Sequence, residues 1–259
     1  IVVSSQTHEA INNLLKSVQR NAQSLSSSPF VVKLSSGTSE KSDQRSLSGT
    51  KVQALRENDL NSKANVLGAT VFSLVKERFG EKPYDLLVVD EAGQVSLSNL
   101  LFMSHCARNI LLVGDQNQLS QPNRAKHPGE SGLSCLEYVM GEEKVVPFNK
   151  GVFLATSWRM PPVLTTVVSD LFYQGELKSC ISKSENKIYW EGLQQGLTFQ
   201  EVDHYSNASE SKEEIDKIEK LVNQLTGCSY QIVQKDSNGT SVVKGVIGPN
   251  EILITALYN

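Results

Sequence analysis

Short apolar runs alternate with amphipathic segments along the first part of the chain, and this alternation is the feature that most limits its fold. The runs are IVVS (1–4), NVLGAT (65–70), LLVV (86–89) and ILLVG (110–114). Continuous runs of leucine and β-branched residues are typical of parallel strands covered on both faces. An amphipathic helix, EAINNLLKSVQ, follows the first run. The pattern predicts an α/β domain built on a parallel sheet.

A length of 259 residues exceeds one ordinary domain and predicts two. We place the boundary near residue 156, with a first domain at 1–156 and a second at 157–259. FNKGVFL (148–154) is predicted to be the last strand of the first domain. PPVLTTVVSDLFY (161–173) is predicted to begin a helix of the second, with prolines near its first turn.

Three further segments carry structural signals. SKEEIDKIEKLVNQLTG (211–227) has an apolar stripe that predicts a packing helix, and EILITALYN (251–259) predicts another buried strand. YQIVQKDSNGTSVVKG (230–245) places Asn238-Gly239 between two β-rich arms and predicts a β-hairpin. A serine-rich stretch near 24–50, interrupted by the strand signal FVVKL (30–34), is expected to be a mobile surface loop, with a functional lid as the alternative.

Composition excludes several classes of protein. No apolar run approaches the roughly 18 residues of a membrane span, so we expect no membrane partner. The four cysteines match neither a zinc pattern nor a disulfide framework, and without a signal peptide we expect reduced thiols and a cytoplasmic protein. A net charge of -3 argues against a broadly basic nucleic-acid-binding face. It leaves open a narrow groove that binds through hydroxyls and backbone amides.

Two adjacent carboxylates, Asp90 and Glu91, follow the predicted strand LLVV. Ligands of open parallel sheets gather at the carboxyl ends of strands. Like charges side by side repel, so a divalent cation is one natural stabiliser. One carboxylate could then face a metal while its neighbour faces a water, as phosphoanhydride hydrolysis requires. The alternative is a solvated loop or a helix N-cap, where acidic residues are common.

Three ordered segments resemble the motifs of superfamily 1 nucleic-acid helicases, in the branch of RNA-surveillance helicases and bacterial helicases fused to RecB-like nucleases. The segments are VVDEAGQ (88–94), LLVGDQNQL (111–119) and SWRMPPVLTTVVSDLFYQGEL (157–177). The resemblance implies a RecA-like parallel sheet of the P-loop NTPase type and the beginning of a second RecA-like domain. It also implies ATP and Mg²⁺ between the two domains, with a single strand of DNA or RNA across their top.

The resemblance assigns roles residue by residue. Asp90 falls where the family holds Mg²⁺, Glu91 where the attacking water is activated, and Gln94 beside the nucleotide. Gly114, Asp115 and Gln118 match the third motif, in which Gln118 would sense the γ-phosphate. The remaining assignments are Arg159 as an arginine finger, and Thr7 and Thr70 as hydroxyls on the strand backbone.

Two alternatives from other classes remain. A non-catalytic, degenerate RecA-like module would keep the fold and lose the chemistry. A nuclease would use Asp90 and Glu91 as metal ligands, but RecB-like nucleases need further carboxylates and a lysine, so any nuclease domain is expected elsewhere in the polypeptide. The motifs also depart from the family at Pro161, where histidine is usual, and at Leu257, where proline is common.

The phosphate-binding motif GxxxxGK[ST] occurs nowhere in the 259 residues. That loop supplies the amides and lysine that hold the phosphates. We therefore expect this chain to be the middle of a helicase that lacks the P-loop and the last motifs, and to be inactive in isolation.

The missing loop predicts weak nucleotide binding by these 259 residues. Titration calorimetry with Mg·ATP should detect no binding in the micromolar range, because the phosphates lack their main donors. A micromolar Kd would contradict this expectation.

Overall fold

The computed structural model describes residues 1–22, 28–35, 39–56, 59, 64–74, 83–119, 128–180, 185–191, 196–205, 207, 210–236 and 239–256. The chain forms two compact units, Ile1–Lys144 and Val145–Asn259. The division lies before the boundary expected near residue 156. Residues 145–155 associate with the second unit, where the amide of Lys178 donates to the carbonyl of Ala155 at 2.7 Å.

A six-stranded sheet forms the centre of the first unit. Its strands are β1 (Val2–Ser4), β2 (Val31–Leu34), β3 (Gln53–Leu55), β4 (Val66–Gly68), β5 (Tyr84–Val89) and β6 (Ala107–Leu112). They lie in the order β3-β2-β4-β1-β5-β6, and each neighbouring pair is parallel. The predicted α/β class with a parallel sheet is confirmed.

Helices cover both faces of this sheet. They are α1 (His8–Asn21), α2 (Glu40–Ser46), α3 (Val71–Leu74), α4 (Leu97–Ser104) and α5 (Cys135–Met140). Successive strand residues enter opposite cores: Val2 joins a cluster with residues of α3, α4 and α5, whereas Val3 joins a cluster with α1. Each fully buried leucine or isoleucine contributes roughly 1.5–3 kcal/mol. Burial on both faces therefore explains the continuous apolar runs.

Strand β6 is an exception to two-sided burial. It lies at the edge of the described sheet, and Ile110 and Leu111 are 42% and 48% exposed. The prediction that this run is fully buried is therefore wrong, because an edge strand has a neighbour on one side only.

The serine-rich stretch contains regular structure. Strand β2 confirms the strand signal at FVVKL, whereas helix α2 shows that the prediction of a surface loop is wrong for Glu40–Ser46. Residues 24–27 and 36–38 of that stretch lie outside the described part. The serine content hid α2 because that helix is anchored by a buried polar contact rather than by an apolar stripe.

That contact is a buried ion pair between Lys33 of β2 and Asp43 of α2. The two side chains are 0% and 1% exposed, and Lys33 Nζ lies 3.7 Å from Asp43 Oδ2. Lys33 Nζ also donates to the carbonyl of Leu34 at 2.7 Å and lies 3.2 Å from His8 Nδ1. The pair therefore connects α1, β2 and α2.

Hydrogen bonds keep the Asp43 carboxylate charged. Burial opposes the charged form, but Ser35 Oγ donates to Oδ2 at 2.7 Å and Asn12 Nδ2 donates to Oδ1 at 3.0 Å. With the charge of Lys33, these contacts lower the pKa of Asp43 below its ordinary value. Burial lowers the pKa of the Lys33 ammonium, and the charge of the Asp43 carboxylate partly offsets this lowering.

The second unit holds two small sheets. A short parallel pair, β7 (Thr156–Ser157) and β8 (Lys178–Ser179), is joined by α6 (Pro162–Phe172). The other sheet has the antiparallel order β11-β10-β9. Its strands, with the helix that follows the first, are β9 (Lys187–Tyr189), α7 (Lys212–Leu225), β10 (Ser229–Asp236) and β11 (Gly239–Val246). Strands β10 and β11 pair from Ser229 with Val246 to Asp236 with Gly239, across the arms of the predicted hairpin.

Three predictions for this unit are wrong. The segment 148–154 is not a strand, and Phe148 is fully exposed rather than part of a sheet. Residues 252–256 form no strand, and Leu253 is 88% exposed, while Leu257 lies outside the described residues. The helix predicted at 211–227 is confirmed as α7, but its predicted packing is not, because Ile215 and Ile218 of the apolar stripe are 52% and 37% exposed. In each segment the apolar pattern is present, but no element of the described chain covers it fully.

None of the described helices combines the length and apolar character needed to cross a membrane.

The buried ion pair predicts a large stability effect. Asp43→Ala leaves the Lys33 ammonium buried without its countercharge, so we expect the free energy of unfolding at pH 7 to fall by about 3–5 kcal/mol in urea denaturation. Because the pKa of Asp43 is lowered by folding, its contribution is present above the ordinary carboxylate pKa and is lost as the pH falls through the folded value. The difference between the two proteins should therefore shrink in acid.

Glu40→Ala is the matched control for this measurement. It removes a carboxylate from the same helix, but the Glu40–Arg56 pair, at 2.6 Å, is largely solvated on the arginine side. Its effect on stability should be much smaller. Equal effects of the two substitutions would show that burial of the Lys33–Asp43 pair is unimportant.

Candidate functional site

The loops that leave β5 and β6 form the centre of the candidate site. Val89 and Leu112, the last residues of the two strands, are paired in register. The ladder continues past the strand ends, because Val113 N donates to the carbonyl of Val89 and Ala92 N donates to the carbonyl of Val113, both at 2.9 Å. The motifs VVDEAGQ and LLVGDQNQL thus meet at one edge of the sheet.

Two glycines allow this close approach. A Cβ atom on Gly93 would overlap the carbonyl oxygen of Asp115, and one on Gly114 would lie 2.7 Å from the amide nitrogen of Ala92. Real Cβ atoms do not approach backbone atoms so closely. The two loops therefore contact each other through bare backbone, and any side chain here would separate them.

The carboxylates Asp90 and Glu91 stand at the start of the first loop. Asp90 N donates to the carbonyl of Ser4 at 2.8 Å, which ties the loop to β1. Glu91 has a left-handed backbone, with φ 53° and ψ 43°. Non-glycine residues rarely adopt this conformation, and such strain tends to occur at functional sites. Both side chains are partly exposed and can reach a ligand.

Gln94 ends a short 3-10 turn, Ala92–Gln94. Its carbonyl accepts a hydrogen bond from Gln6 Nε2 at 2.5 Å. Gln6 immediately precedes Thr7, so this contact joins the loop after β1 to the loop after β5. The sequence predicted no role for Gln6, although it is adjacent to Thr7, for which the resemblance implies a contact with the strand backbone.

Helix α5 is hydrogen-bonded to the end of the first loop. Cys135 N and Cys135 Sγ both donate to the carbonyl of Val95, at 2.8 and 3.0 Å. Burial raises the pKa of the Cys135 thiol to about 11, so the group stays protonated and can donate. The sequence offered no signal for this contact, because it joins residues 40 positions apart.

Asp115 organises the second loop. Its Oδ1 accepts from the backbone amide of Asn117 at 3.0 Å, and its Oδ2 accepts from Gln118 Nε2 at 3.2 Å. The Gln118 side chain is exposed and held by this one described contact. The structure therefore brings Asp90, Glu91, Gln94, Gly114, Asp115 and Gln118 into one pair of interlocked loops.

Thr7 and Thr70 lie at the carboxyl ends of β1 and β4. Thr7 is the N-cap of α1, where its hydroxyl oxygen accepts from Ala10 N at 3.1 Å. Thr70 precedes α3, and its hydroxyl lies 3.3 Å from Ser73 Oγ. The capping role that threonines commonly take is thus present at Thr7, while its side chain remains exposed.

Arg159 belongs to the second unit, between β7 and α6. Its amide nitrogen donates to Ser157 Oγ at 3.4 Å, and its side chain is exposed. Each unit is described by itself, so the structure does not place Arg159 against the residues of the first unit.

Comparison with known proteins supports the resemblance seen in the motifs. Residues 2–121 match the family model described as an AAA domain. The 5'-3' DNA helicase ZGRF1 of Mus musculus is 29% identical over 52% of this chain, and the ATP-dependent helicase upf1 of Schizosaccharomyces pombe is 27% identical over 51%. The DNA replication ATP-dependent helicase/nuclease DNA2 of Xenopus laevis is 23% identical over 73%.

Over part of its length the chain is similar to helicases, at identities below 30%. The parallel sheet of its first unit is the RecA-like fold of P-loop NTPases. The matched region covers 7%, 14% and 18% of the three relatives' own lengths.

The side chains around Asp90 could hold Mg²⁺ only together with water and the phosphate oxygens of a nucleotide. Among the described residues no group of three or more histidine, cysteine or acidic side chains gathers to hold a metal. Mg²⁺ is normally held by one or two carboxylates, with water and phosphate oxygens completing its shell. Asp90 is therefore compatible with such an ion. In the described chain, the buried hydroxyls of Ser5 and of Ser4, whose carbonyl accepts from Asp90 N, have no hydrogen-bond partner.

The contact between the loops predicts a strict requirement for glycine at position 93. Gly93→Ala forces its Cβ against the Asp115 carbonyl, which is backbone and cannot rotate away. We expect a loss of roughly 1–3 kcal/mol in the free energy of unfolding, measured in urea. NMR chemical shifts of residues 113–118 should change as the second loop is displaced.

Gly151→Ala is the control, because its Cβ would meet only the end of the Val146 side chain at 3.1 Å. This substitution should leave the signals of residues 113–118 in place. Unchanged signals in Gly93→Ala would contradict the predicted contact.

Proposed function

We propose that this chain contributes the ATP-hydrolysing residues and part of the strand-binding surface of an ATP-dependent helicase or translocase. The observation that carries the proposal is the junction of the two loops after β5 and β6. It gathers two carboxylates, Asp90 and Glu91, beside Asp115 and Gln118 at one sheet edge. Ligands of open α/β sheets bind at this edge.

The two adjacent carboxylates take different roles in this proposal. Asp90, tied to β1 through its amide, would hold Mg²⁺, which when bound neutralises charge on the phosphates of ATP. Glu91 would accept a proton from the attacking water. The left-handed backbone at Glu91 supports this division, because it turns the second side chain away from the direction an extended strand would give it.

The second loop would report the presence of the γ-phosphate. Gln118 is held by Asp115 through one exposed hydrogen bond, which a phosphate oxygen can replace. Gly114 would let the loops stay in backbone contact, and Gln94 would lie beside the nucleotide. Arg159 of the second unit would supply a guanidinium to the transferring phosphate, and an arginine finger contributes on the order of 10³ to 10⁵ in rate.

A single strand of DNA or RNA is the proposed polymer. Thr7 Oγ accepts from Ala10 N, so its own hydroxyl proton remains available to donate to a phosphate oxygen. Thr70 would act in the same way at the end of β4. Hydroxyl contacts of this kind hold the backbone without reading sequence, which suits movement along a strand.

A non-catalytic RecA-like module is the second candidate. That module would keep the fold and lose the chemistry. Nuclease chemistry has less support, because the described residues contain no metal-binding cluster around Asp90 and Glu91.

Glu91→Gln tests the proposed base. It keeps the size of the side chain and removes the proton acceptor, so strand-stimulated ATP hydrolysis by the full-length protein should fall by about 10²- to 10⁴-fold. Binding of Mg·ATP should persist, since Asp90 is unchanged. Phosphate release measured with and without a single-stranded oligonucleotide provides the readout.

Asp85→Asn is the matched control, because it removes an exposed carboxylate from the other end of the same strand. It should leave the rate unchanged. Full activity of Glu91→Gln would refute the assignment of the base. Lack of strand-stimulated hydrolysis in the unmodified full-length protein would favour the non-catalytic module.

A further inference from the structure

Two amide side chains in the second loop bind backbone far along the chain. Gln116 Nε2 donates to the carbonyls of Glu143 and Lys144 at 3.2 and 2.9 Å. Asn117 Nδ2 donates to the carbonyl of Lys144 at 3.1 Å. Neither Gln116 nor Asn117 has a role in the proposed chemistry, although both lie inside the motif LLVGDQNQL.

The chemistry of these contacts is well matched. The amide of Gln116 carries two hydrogens and has one acceptor for each. The carbonyl of Lys144 has two lone pairs and receives one hydrogen from each of the two side chains. A carboxylate at position 116 or 117 could accept but not donate, so the loop needs amides here.

The backbone bound by Gln116 and Asn117 lies at the end of the first unit. Lys144 is the last residue of the first unit, and Val145 begins the second. Gln116 and Asn117 thus hold the first unit's end of the connection between units.

A continuous set of contacts joins this point to the carboxylates. Asn117 N donates to Asp115 Oδ1, and Gln118 Nε2 donates to Oδ2 of the same carboxylate. The carbonyl of Asp115 packs against Gly93, three residues after Asp90. A displacement of the second loop would therefore reach the carbonyls of Glu143 and Lys144 through directly touching groups.

We propose that Gln116 and Asn117 are positioning residues that hold the start of the connection at Glu143 and Lys144 and transmit the state of the nucleotide loop to it. The hold itself follows from the described contacts. The transmission rests on the proposed function, since it requires a nucleotide at Asp115 and Gln118.

Limited trypsin digestion tests the hold on the 259-residue chain, because trypsin cuts after Lys144. Removing all three hydrogen bonds in Gln116→Leu/Asn117→Leu should accelerate cleavage after Lys144 about tenfold, relative to cleavage after Lys217 in α7. Mass spectrometry of the fragments identifies each cut. A thermal unfolding curve checks that the double variant folds. If it does not fold, Gln116→Leu alone is used, and a smaller acceleration of cleavage after Lys144 is expected.

Asn109→Leu is the matched control. Asn109 Nδ2 on β6 donates to the carbonyl of Asp85 at 3.0 Å, which is the same kind of bond at a place remote from the connection. It should leave cleavage after Lys144 unchanged. If the Gln116 and Asn117 variants also leave it unchanged, the hold does not exist.

The transmission is tested by repeating the digestion on the full-length protein with millimolar Mg·ATP and a single-stranded oligonucleotide. The wild-type rate after Lys144 should change by roughly fivefold or more, and the double variant should show no change. A response that survives in the double variant overturns the transmission. No response in the wild type, in a full-length protein that hydrolyses ATP, overturns the transmission, while a tenfold effect in the first digestion still supports the hold.

Discussion

The contact between two backbone loops, at Gly93 and Asp115, is the constraint on which the candidate site depends. Strands β5 and β6 are parallel and end in register, so their loops leave the sheet at the same level. Bare backbone then closes the space between them. Because this contact uses no side chain, Asp90, Glu91 and Gln118 remain free to face a ligand. The arrangement separates the atoms that hold the site together from those that would act in it.

A buried ion pair holds a different part of the first unit. The Lys33–Asp43 pair is fully buried and joins α1 and α2 to β2, next to Thr7 at the start of α1. A buried ion pair contributes little to stability compared with apolar residues of the same size. Its effect here is geometric, since hydrogen bonds from Ser35 and Asn12 permit one arrangement of the three elements. The start of α1, next to Thr7, is thus tied to β2 and α2.

The sequence predicted the first unit better than the second for a physical reason. Runs such as IVVS and NVLGAT are buried on both faces, so their apolar pattern and their structure agree. In the second unit the same kind of pattern, as in α7 and residues 252–256, has no described neighbour to cover it. Apolar periodicity indicates which face can be buried, but burial itself needs a partner.

The sequence by itself determined the parallel α/β fold of the first unit and the identity of the motif residues, because both depend on local order along the chain. Only the tertiary structure decided that α2 exists within the serine-rich stretch, that Gln6 binds Gln94, and that Gln116 and Asn117 bind Glu143 and Lys144. These features join residues distant in sequence through a few isolated hydrogen bonds and one ion pair. A single bond between distant residues leaves no periodic trace in the sequence, so its partners become apparent only when the chain is folded.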